Sequence, residues 1–164
     1  MTVDEAVQRL KAAGVDNPRL DARLLWEQAD RIEKSALVAY GRCEAIFDGL
    51  VARRIAREPL AYVTGHREFW SLDFAVGPGC LIPRPETETL IEQGKMLFKD
   101  RTAPLAILDM GTGSGCLLIA ALSEFPNAHG VGIDLSPDAL SMDGAQPLGA
   151  QTPGQGFAPR NRLD

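Results

Sequence analysis

The sequence predicts an α/β protein that begins with a helical region, and three patterns in the 164-residue chain support this class. Apolar residues recur every three or four positions over about the first 60 residues, which is the periodicity of amphipathic helices. Between Trp70 and Val76 they alternate with polar or small residues, as in a half-buried strand. Two short apolar runs, at 106–110 and 130–134, flank a helical stretch, which is typical of a β-α-β unit. We therefore predict an N-terminal α-helical bundle, a β-hairpin linker and an incomplete α/β domain.

The first two predicted helices are marked by the residues at their ends. Thr2 and Glu5 are spaced as in a capping box, and Gly14 is a typical residue at which the first helix would stop. Asn17-Pro18 can open the second helix, with proline in its first turn. This helix is expected to bury the apolar side chains on one of its faces, namely Leu20, Leu24, Leu25 and Trp26.

Two further helices complete the predicted bundle. Residues 35–39 fit a short third helix, and residues 47–55 fit a fourth, which must end before Pro59 because proline disfavours helix in the residue before it. The arginines near the end of the fourth helix, Arg53, Arg54 and Arg57, are expected to form a solvated face. We assign residues 1–65 to this helical domain.

A β-hairpin is expected to follow the bundle. Its first strand would cover residues 70–76, its turn would be Gly77-Pro78-Gly79, and its return strand would be residues 80–82. We assign residues 66–83 to this hairpin linker. A further helix is predicted over residues 87–98.

A glycine-rich loop lies inside the predicted β-α-β unit. Gly111-Thr112-Gly113-Ser114-Gly115 follows the first strand directly, and residues 116–124 are helical in composition. Glycines after a strand let the main chain turn sharply and approach a ligand, and the free N–H groups of a helix N-terminus attract polar or anionic groups. Asp134 ends the second strand, nineteen residues beyond Gly115, where an acidic side chain can accept hydrogen bonds from ribose hydroxyls. The loop is therefore predicted to bind a cofactor that contains adenosine.

The spacing of the glycines distinguishes between classes of cofactor. A dinucleotide site would need its third glycine at position 116, which is Cys116. With Asp109 before the loop, the observed form is D-x-G-x-G-x-G, as in S-adenosylmethionine methyltransferases, and Asp109 would lie near the positively charged methionine end of that cofactor. A tight turn in some other α/β protein is the plain structural alternative. The candidate cofactor-binding residues are Asp109, Gly111, Thr112, Gly113, Ser114, Gly115 and Asp134.

Two segments resemble a known family. Residues 59–69, with Pro-Leu-Ala-Tyr-Val-Thr-Gly and then Glu68-Phe69, and residues 81–88, Leu-Ile-Pro-Arg-Pro-Glu-Thr-Glu, are similar to the entry segment of release-factor (protein-glutamine-N5) methyltransferases. The resemblance covers about residues 1–140. It implies a helical substrate-recognition domain, then a Rossmann-like catalytic domain, present here in part as residues 84–140, with S-adenosyl-L-methionine as the cofactor. It also implies methylation of the glutamine in the Gly-Gly-Gln motif of peptide-chain release factors, which act in translation termination in the cytoplasm.

One motif of this family does not occur in the sequence. The family uses Asn-Pro-Pro-Tyr to hold the glutamine amide, whose nitrogen is a poor nucleophile because its lone pair is delocalised into the carbonyl. We therefore assign no catalytic residue and expect this chain alone not to methylate. A non-enzymatic protein-binding module formed by the helical domain is the alternative function. A nucleotide-dependent oxidoreductase is disfavoured by Cys116 and by the segment around Pro-Arg-Pro-Glu-Thr.

Charge and composition exclude several classes of binding partner. A net charge of −5 argues against general nucleic-acid affinity, which needs a basic surface. The apolar stretches are too short to span a bilayer, and the acidic N-terminus is unlike a signal peptide. Two histidines and three scattered cysteines show no spacing typical of a metal cluster. We expect a cytoplasmic protein whose partner is a release factor, with no direct contact to nucleic acid, membrane or metal.

The sequence changes character near its end. Residues 141–164 are rich in glycine, proline and glutamine without periodicity, and such a composition is expected to be poorly ordered. The resemblance also stops abruptly near residue 140. A natural disordered tail is one explanation. The other explanation, which we favour, is a truncation or a shift of the reading frame. One choice of synonymous codons for residues 144–151, translated one base later, gives Ala-Arg-Asn-Arg-Leu-Gly-Leu. This is the continuation that the family would have.

The frameshift hypothesis is tested by sequencing the gene and the region downstream of it. We expect an alternative frame that continues the family's sequence and contains an Asn-Pro-Pro-Tyr segment. If neither alternative frame encodes such a segment, the hypothesis is wrong and the tail is natural.

Overall fold

The computed structural model describes residues 1–35 and 42–139, together with the backbone of residues 157–160. The chain divides into two compact units, residues 1–64 and residues 65–164. The first unit is helical, whereas the second contains helices and two small sheets. The predicted α/β class is therefore confirmed.

Within residues 1–35 and 42–64 the first unit has four helices: α1 (Val3–Ala12), α2 (Pro18–Ser35), α3 (Cys43–Ile55) and α4 (Leu60–Thr64). The predicted capping box is present, because Glu5 N–H donates to Thr2 Oγ1 at 3.2 Å and Thr2 N–H donates to Glu5 Oε2 at 2.8 Å. The predicted short helix at 35–39 falls mainly outside the described residues, and α4 was not predicted from the sequence.

The core of the first unit differs from the prediction along α2. Ala22, Leu25 and Ala29 are fully buried, whereas Leu20 is 45% exposed. The buried residues are spaced by three and four positions and so lie on one face of the helix, while Leu20 is two positions away from Ala22 and points elsewhere. The other large buried side chains come from the neighbouring helices and include Leu10, Phe47, Leu50 and Val51.

The predicted solvated face of arginines is present only in part, because Arg53 and Arg57 are exposed, whereas Arg54 is mostly buried. Arg54 Nε donates to Asp21 Oδ2 at 2.7 Å, and the two side chains are only 18% and 7% exposed. Arg57 donates to the carbonyl oxygen of Gly14 at 3.0 Å. Arg54 therefore connects α3 to α2, and Arg57, two residues after α3, contacts the turn after α1. A run of charges cannot reveal this role, because the acceptors are distant in the sequence.

Replacing Asp21 with alanine should destabilise the first unit. The substitution leaves the half-buried Arg54 guanidinium without its counter-charge, and breaking a buried pair in this way typically costs about 3 kcal/mol or more. Urea unfolding would measure the loss. Glu27→Ala is the matched control, because Glu27 forms only an exposed pair with Arg23 and should cost less than about 1 kcal/mol. Similar losses in both variants would contradict a stabilising role for the buried pair of Asp21 and Arg54.

The second unit begins with the hairpin, whose turn lies earlier than predicted. Strands β1 (His66–Phe69) and β2 (Leu72–Ala75) pair antiparallel, so that Trp70-Ser71 is the turn. A turn does form at Gly77-Pro78-Gly79, where Cys80 N–H donates to the carbonyl oxygen of Gly77 at 3.1 Å, but it is not the turn of the hairpin. The predicted return strand at residues 80–82 is wrong, since these residues form no strand. Both turn residues have positive φ, 54° and 59°, a conformation in which glycine or asparagine is usual. Nearby carboxylates explain the exception, because Ser71 N–H donates to Glu68 Oε1 at 2.5 Å and Trp70 N–H donates to Glu88 Oε1 at 2.9 Å.

The remaining predicted elements of the second unit are confirmed. A short 3₁₀ turn leads into α5 (Glu88–Leu97), and β3 (Ala106–Met110), α6 (Cys116–Glu124) and β4 (His129–Ile133) form the β-α-β unit. Strands β3 and β4 are parallel, with Ala106 opposite His129 and Met110 opposite Ile133. Helix α6 covers one face of β3, and on the other face Leu108 and Met110 are 52% and 69% exposed.

A third strand, β5 (Phe157–Arg160), pairs parallel with β4 and gives the order β3-β4-β5. These four residues form a strand within the segment 141–164, which was predicted to be disordered or poorly ordered. The open edge of β4 offers backbone groups for pairing, and Pro159, which lacks an N–H, is tolerated in an edge strand. The rest of the predicted tail lies outside the described residues. Across the residues that the structure describes, no helix is long and apolar enough to cross a membrane.

Candidate functional site

The predicted site residues come together at one edge of the parallel sheet. The loop 111–115 leaves the carboxyl end of β3, and Asp134 directly follows the last residue of β4. Because the two strands are parallel, their carboxyl ends meet at the same edge. Asp109 lies on β3 one residue before the end of the strand. The structure thus places all seven candidate residues in one region.

The three loop glycines adopt a backbone conformation that other residues rarely adopt. Gly111, Gly113 and Gly115 have φ values of 79°, 58° and 75°. A Cβ atom at Gly111 or at Gly113 would meet no other atom within 4 Å. The space beside these two residues is therefore open, and the main chain of the loop is accessible to a ligand.

Backbone hydrogen bonds fix the loop to the end of β4. The carbonyl oxygen of Ile133 accepts from Gly111 N–H at 2.8 Å and from Thr112 N–H at 3.0 Å. Thr112 is 5% exposed and packs against Gly132, where a Cβ would lie 2.7 Å from Thr112 Oγ1. The loop and the neighbouring strand therefore form one rigid edge.

The carboxylate of Asp134 accepts hydrogen bonds from two backbone N–H groups and keeps the capacity to accept more. Its Oδ2 accepts from Gly113 N–H at 2.9 Å, and its Oδ1 accepts from Ser136 N–H at 2.9 Å. Each carboxylate oxygen has a further lone pair, so both can still accept from ligand hydroxyls. Sequence analysis missed the structural role of Asp134. The Asp-x-Ser spacing of residues 134–136 is the available signal, because aspartate often accepts from the N–H two residues on.

Asp109 is the second carboxylate of the site. Thr112 Oγ1 donates to its Oδ2 at 2.9 Å, a contact that the sequence did not reveal. Burial raises the pKa of Asp109, the hydrogen bond from Thr112 lowers it, and the negative charge of Asp134 raises it, so that the pKa lies above its usual value. A cationic group bound between the two carboxylates would offset their repulsion.

Ser114 is the most deeply buried polar residue of the loop. It is 1% exposed, and its hydroxyl interacts with the Cys116 thiol but makes no hydrogen bond to an oxygen or nitrogen atom among the described residues. Buried polar groups are nearly always well paired, so such a hydroxyl in a glycine loop marks a position where a ligand or a water molecule would complete the bonding. No cluster of three or more potential metal ligands occurs in the part of the chain that the structure describes.

Replacing Asp109 with asparagine should raise the stability of the chain at neutral pH. A folded-state pKa above the usual value means that ionised Asp109 disfavours the folded state, and this penalty grows as the pH rises through that pKa. Asparagine can still accept from Thr112. Urea unfolding at pH 7.5 should give Asp109→Asn the higher free energy of unfolding, with the difference shrinking as the pH falls towards about 4.

Asp100→Asn is the control for the effect of Asp109. Hydrogen bonds from Thr102 lower the pKa of Asp100, so its ionised form favours the folded state. Asp100→Asn removes this charge and should therefore lower the free energy of unfolding at pH 7.5, whereas Asp109→Asn should raise it. An Asp109→Asn variant that is less stable than the parent chain at neutral pH would contradict the interpretation.

The helical unit was first compared with models of known protein families. Residues 2–65 match the family model described as the PrmC N-terminal domain, a range that coincides with the first unit of the structure. The first unit is therefore similar to helical domains of this type.

Longer matches extend through the glycine loop. The chain is 40% identical over 158 residues to the release factor glutamine methyltransferase of Rhodospirillum rubrum, a match that covers 91% of this chain and 48% of the relative. The proteins of the same name from Koribacter versatilis and Escherichia coli are 41% and 39% identical over 145 residues, with 85% and 84% of this chain and 51% and 50% of the relatives covered. The predicted resemblance to release factor glutamine methyltransferases is confirmed. The chain spans about half the length of the curated relatives that it matches.

Proposed function

We propose that this chain carries the substrate-recognition domain and the cofactor site of an S-adenosylmethionine-dependent release factor glutamine methyltransferase. One observation carries the proposal. Two carboxylates, Asp109 and Asp134, flank an open glycine loop at the carboxyl edge of parallel strands, in a chain about 40% identical to proteins of that name. Ligands of open parallel sheets bind at this edge, which also supports a Rossmann-like arrangement of the second unit.

The residues present fit S-adenosyl-L-methionine. Asp134 is oriented by two backbone N–H groups and can accept from both ribose hydroxyls. The open space beside Gly111 and Gly113 leaves room for the ligand against the main chain. Asp109 supplies negative charge for the cationic methionine end, and the hydroxyl of Ser114, whose neighbour is the Cys116 thiol, can bond to the ligand or to water. Thr112 and Gly115 complete the set by fixing Asp109 and the start of α6.

The site is organised before any ligand binds. When bound, the cofactor supplies an activated methyl group on its sulfonium. Asp109 is held by Thr112, and Asp134 is held by Gly113 and Ser136, so neither carboxylate has to be reoriented when charge is brought to the site. Burial is the main cause of the raised pKa of Asp109, and a bound cation would offset the smaller contribution from the charge of Asp134. These residues bind and orient, and none of them is proposed to exchange a proton with the substrate.

The substrate side of the reaction is proposed from the family alone. The substrate would be the glutamine of the Gly-Gly-Gln motif in a peptide-chain release factor, methylated on its amide nitrogen in the cytoplasm. We propose that the helical unit recognises the release factor. No catalytic residue is assigned, because the Asn-Pro-Pro-Tyr motif does not occur among the 164 residues.

The cofactor assignment is tested by isothermal titration calorimetry with S-adenosylhomocysteine, the demethylated product. Asp134→Ala should weaken binding by about 1–3 kcal/mol, because it removes a charged acceptor of the ribose hydroxyls. Asp100→Ala is the control, since Asp100 lies in the turn before β3 and should leave affinity unchanged. Unchanged affinity in Asp134→Ala would remove this residue from the site. Competition by reduced nicotinamide dinucleotide would instead favour an oxidoreductase.

A further inference from the structure

The turn of the hairpin keeps an unfavourable backbone conformation. Trp70 and Ser71 have positive φ values, although glycine or asparagine would adopt this turn at lower cost. Strained residues persist where the surrounding structure holds them, and they are frequent at positions whose side chain has a function. The tryptophan at this turn therefore requires an explanation beyond the connection of two strands.

The side chain of Trp70 is held by groups from both α5 and α6. Its indole Nε1 donates to Glu124 Oε1 at 2.8 Å, its backbone N–H donates to Glu88, and Lys95 Nζ lies 4.9 Å from the ring centroid. We call Trp70, Glu88, Lys95 and Glu124 the indole clamp. Glu124 also binds Lys95 Nζ at 3.1 Å and Arg101 at 2.9 Å. Burial raises the pKa of Glu124, but these hydrogen bonds outweigh burial and lower it, which keeps the carboxylate ionised.

The indole clamp joins three elements at their ends. Glu88 is the first residue of α5, Glu124 is the last residue of α6, and Trp70 is the turn of the hairpin. Apolar packing continues from this junction along α6, because Phe69 and Phe74 of the hairpin form one buried cluster with Ile91 of α5 and with Ile119 and Ala120 of α6. The hairpin is thus fixed against α6 both at the carboxyl end of the helix and along its side.

Helix α6 connects the indole clamp to the candidate site. The helix begins directly after Gly115, so its N-terminus and the glycine loop are continuous. Its nine residues span about 13 Å, and a short helix transmits a displacement of one end to the other because its backbone is rigid. A change in the angle of α6 would displace the loop relative to Asp134.

We propose that Trp70 is a positioning residue for the cofactor loop, acting through its hydrogen bond to Glu124 at the far end of α6. The inference rests on the proposed function for its effect on cofactor affinity. Its effect on the loop itself requires no cofactor.

The test compares four single variants of the full chain. Trp70→Phe removes the indole N–H and keeps an aromatic ring, Glu124→Leu removes the acceptor, and Glu124→Gln keeps an acceptor oxygen without the charge. Trp26→Phe is the matched control, because it makes the same change at an indole of the first unit, where Trp26 packs on Phe47. Hydrogen exchange of residues 111–118 is measured without ligand, and the dissociation constant of S-adenosylhomocysteine is measured by calorimetry.

Trp70→Phe and Glu124→Leu should each speed exchange in residues 111–118 and weaken S-adenosylhomocysteine binding by about fivefold, the scale of one lost hydrogen bond. Glu124→Gln should show a smaller loss than Glu124→Leu, and Trp26→Phe should match the parent chain. If Glu124→Gln restores slow loop exchange and tight binding relative to Glu124→Leu, the effect depends on the hydrogen bond to Trp70. A general loss of stability would not depend on the acceptor oxygen. If Trp70→Phe does not fold, the two Glu124 variants provide the same comparison.

Loop exchange in Trp70→Phe equal to that of the parent overturns the proposal, as do equal losses in Glu124→Gln and Glu124→Leu. A parent chain that does not bind S-adenosylhomocysteine contradicts the proposed function. In that case the exchange measurement on the ligand-free chain still decides whether the clamp holds the loop.

Discussion

The carbonyl oxygen of Ile133 accepts two backbone hydrogen bonds from the loop that leaves the neighbouring strand, and the geometry of the candidate site depends on this junction. It ties the turn after β3 to the end of β4, so the position of the loop follows from the pairing of two parallel strands. Gly132 contributes by leaving room for Thr112 against the strand. Asp134 then adds a side-chain bond to Gly113, one residue beyond the junction. The site is thus a continuation of the sheet and not a flexible appendage to it.

The same junction brings negative charges together. Asp109 lies near the end of β3 and Asp134 directly follows β4, and burial together with the negative charge of Asp134 raises the pKa of Asp109. Both carboxylates are tied to the loop, Asp109 through Thr112 and Asp134 through Gly113, so they cannot move apart without disturbing it. Such an arrangement costs free energy in the absence of a ligand and is offset when a cation binds. Sites organised in this way gain affinity from electrostatics that are already in place.

The sequence predicted the elements whose signals are local. The capping box at Thr2, the helix from Cys116 to Glu124 and the glycine loop all depend on residues that are close in the chain, and the structure has them where the sequence indicated. The hairpin turn was misplaced because Trp70-Ser71 lacks the usual turn residues and is stabilised by Glu88, eighteen positions away. The pairing of Arg54 with Asp21 was missed for the same reason, since its partners are thirty-three positions apart. The candidate site residues were found by their spacing, but the bond from Gly113 N–H to Asp134 joins residues twenty-one positions apart and required three-dimensional contacts.

Strand β3 has two faces with different surroundings. Ile107 packs against α6, whereas Leu108 and Met110 on the opposite face are half exposed or more. Purely parallel sheets usually have both faces covered, so this exposure is unusual for an apolar strand that carries a ligand loop. Alternate positions of this one strand therefore meet different requirements: position 107 packs in the core and position 109 belongs to the candidate site, whereas substitutions at positions 108 and 110 should cost less packing free energy than a substitution at position 107.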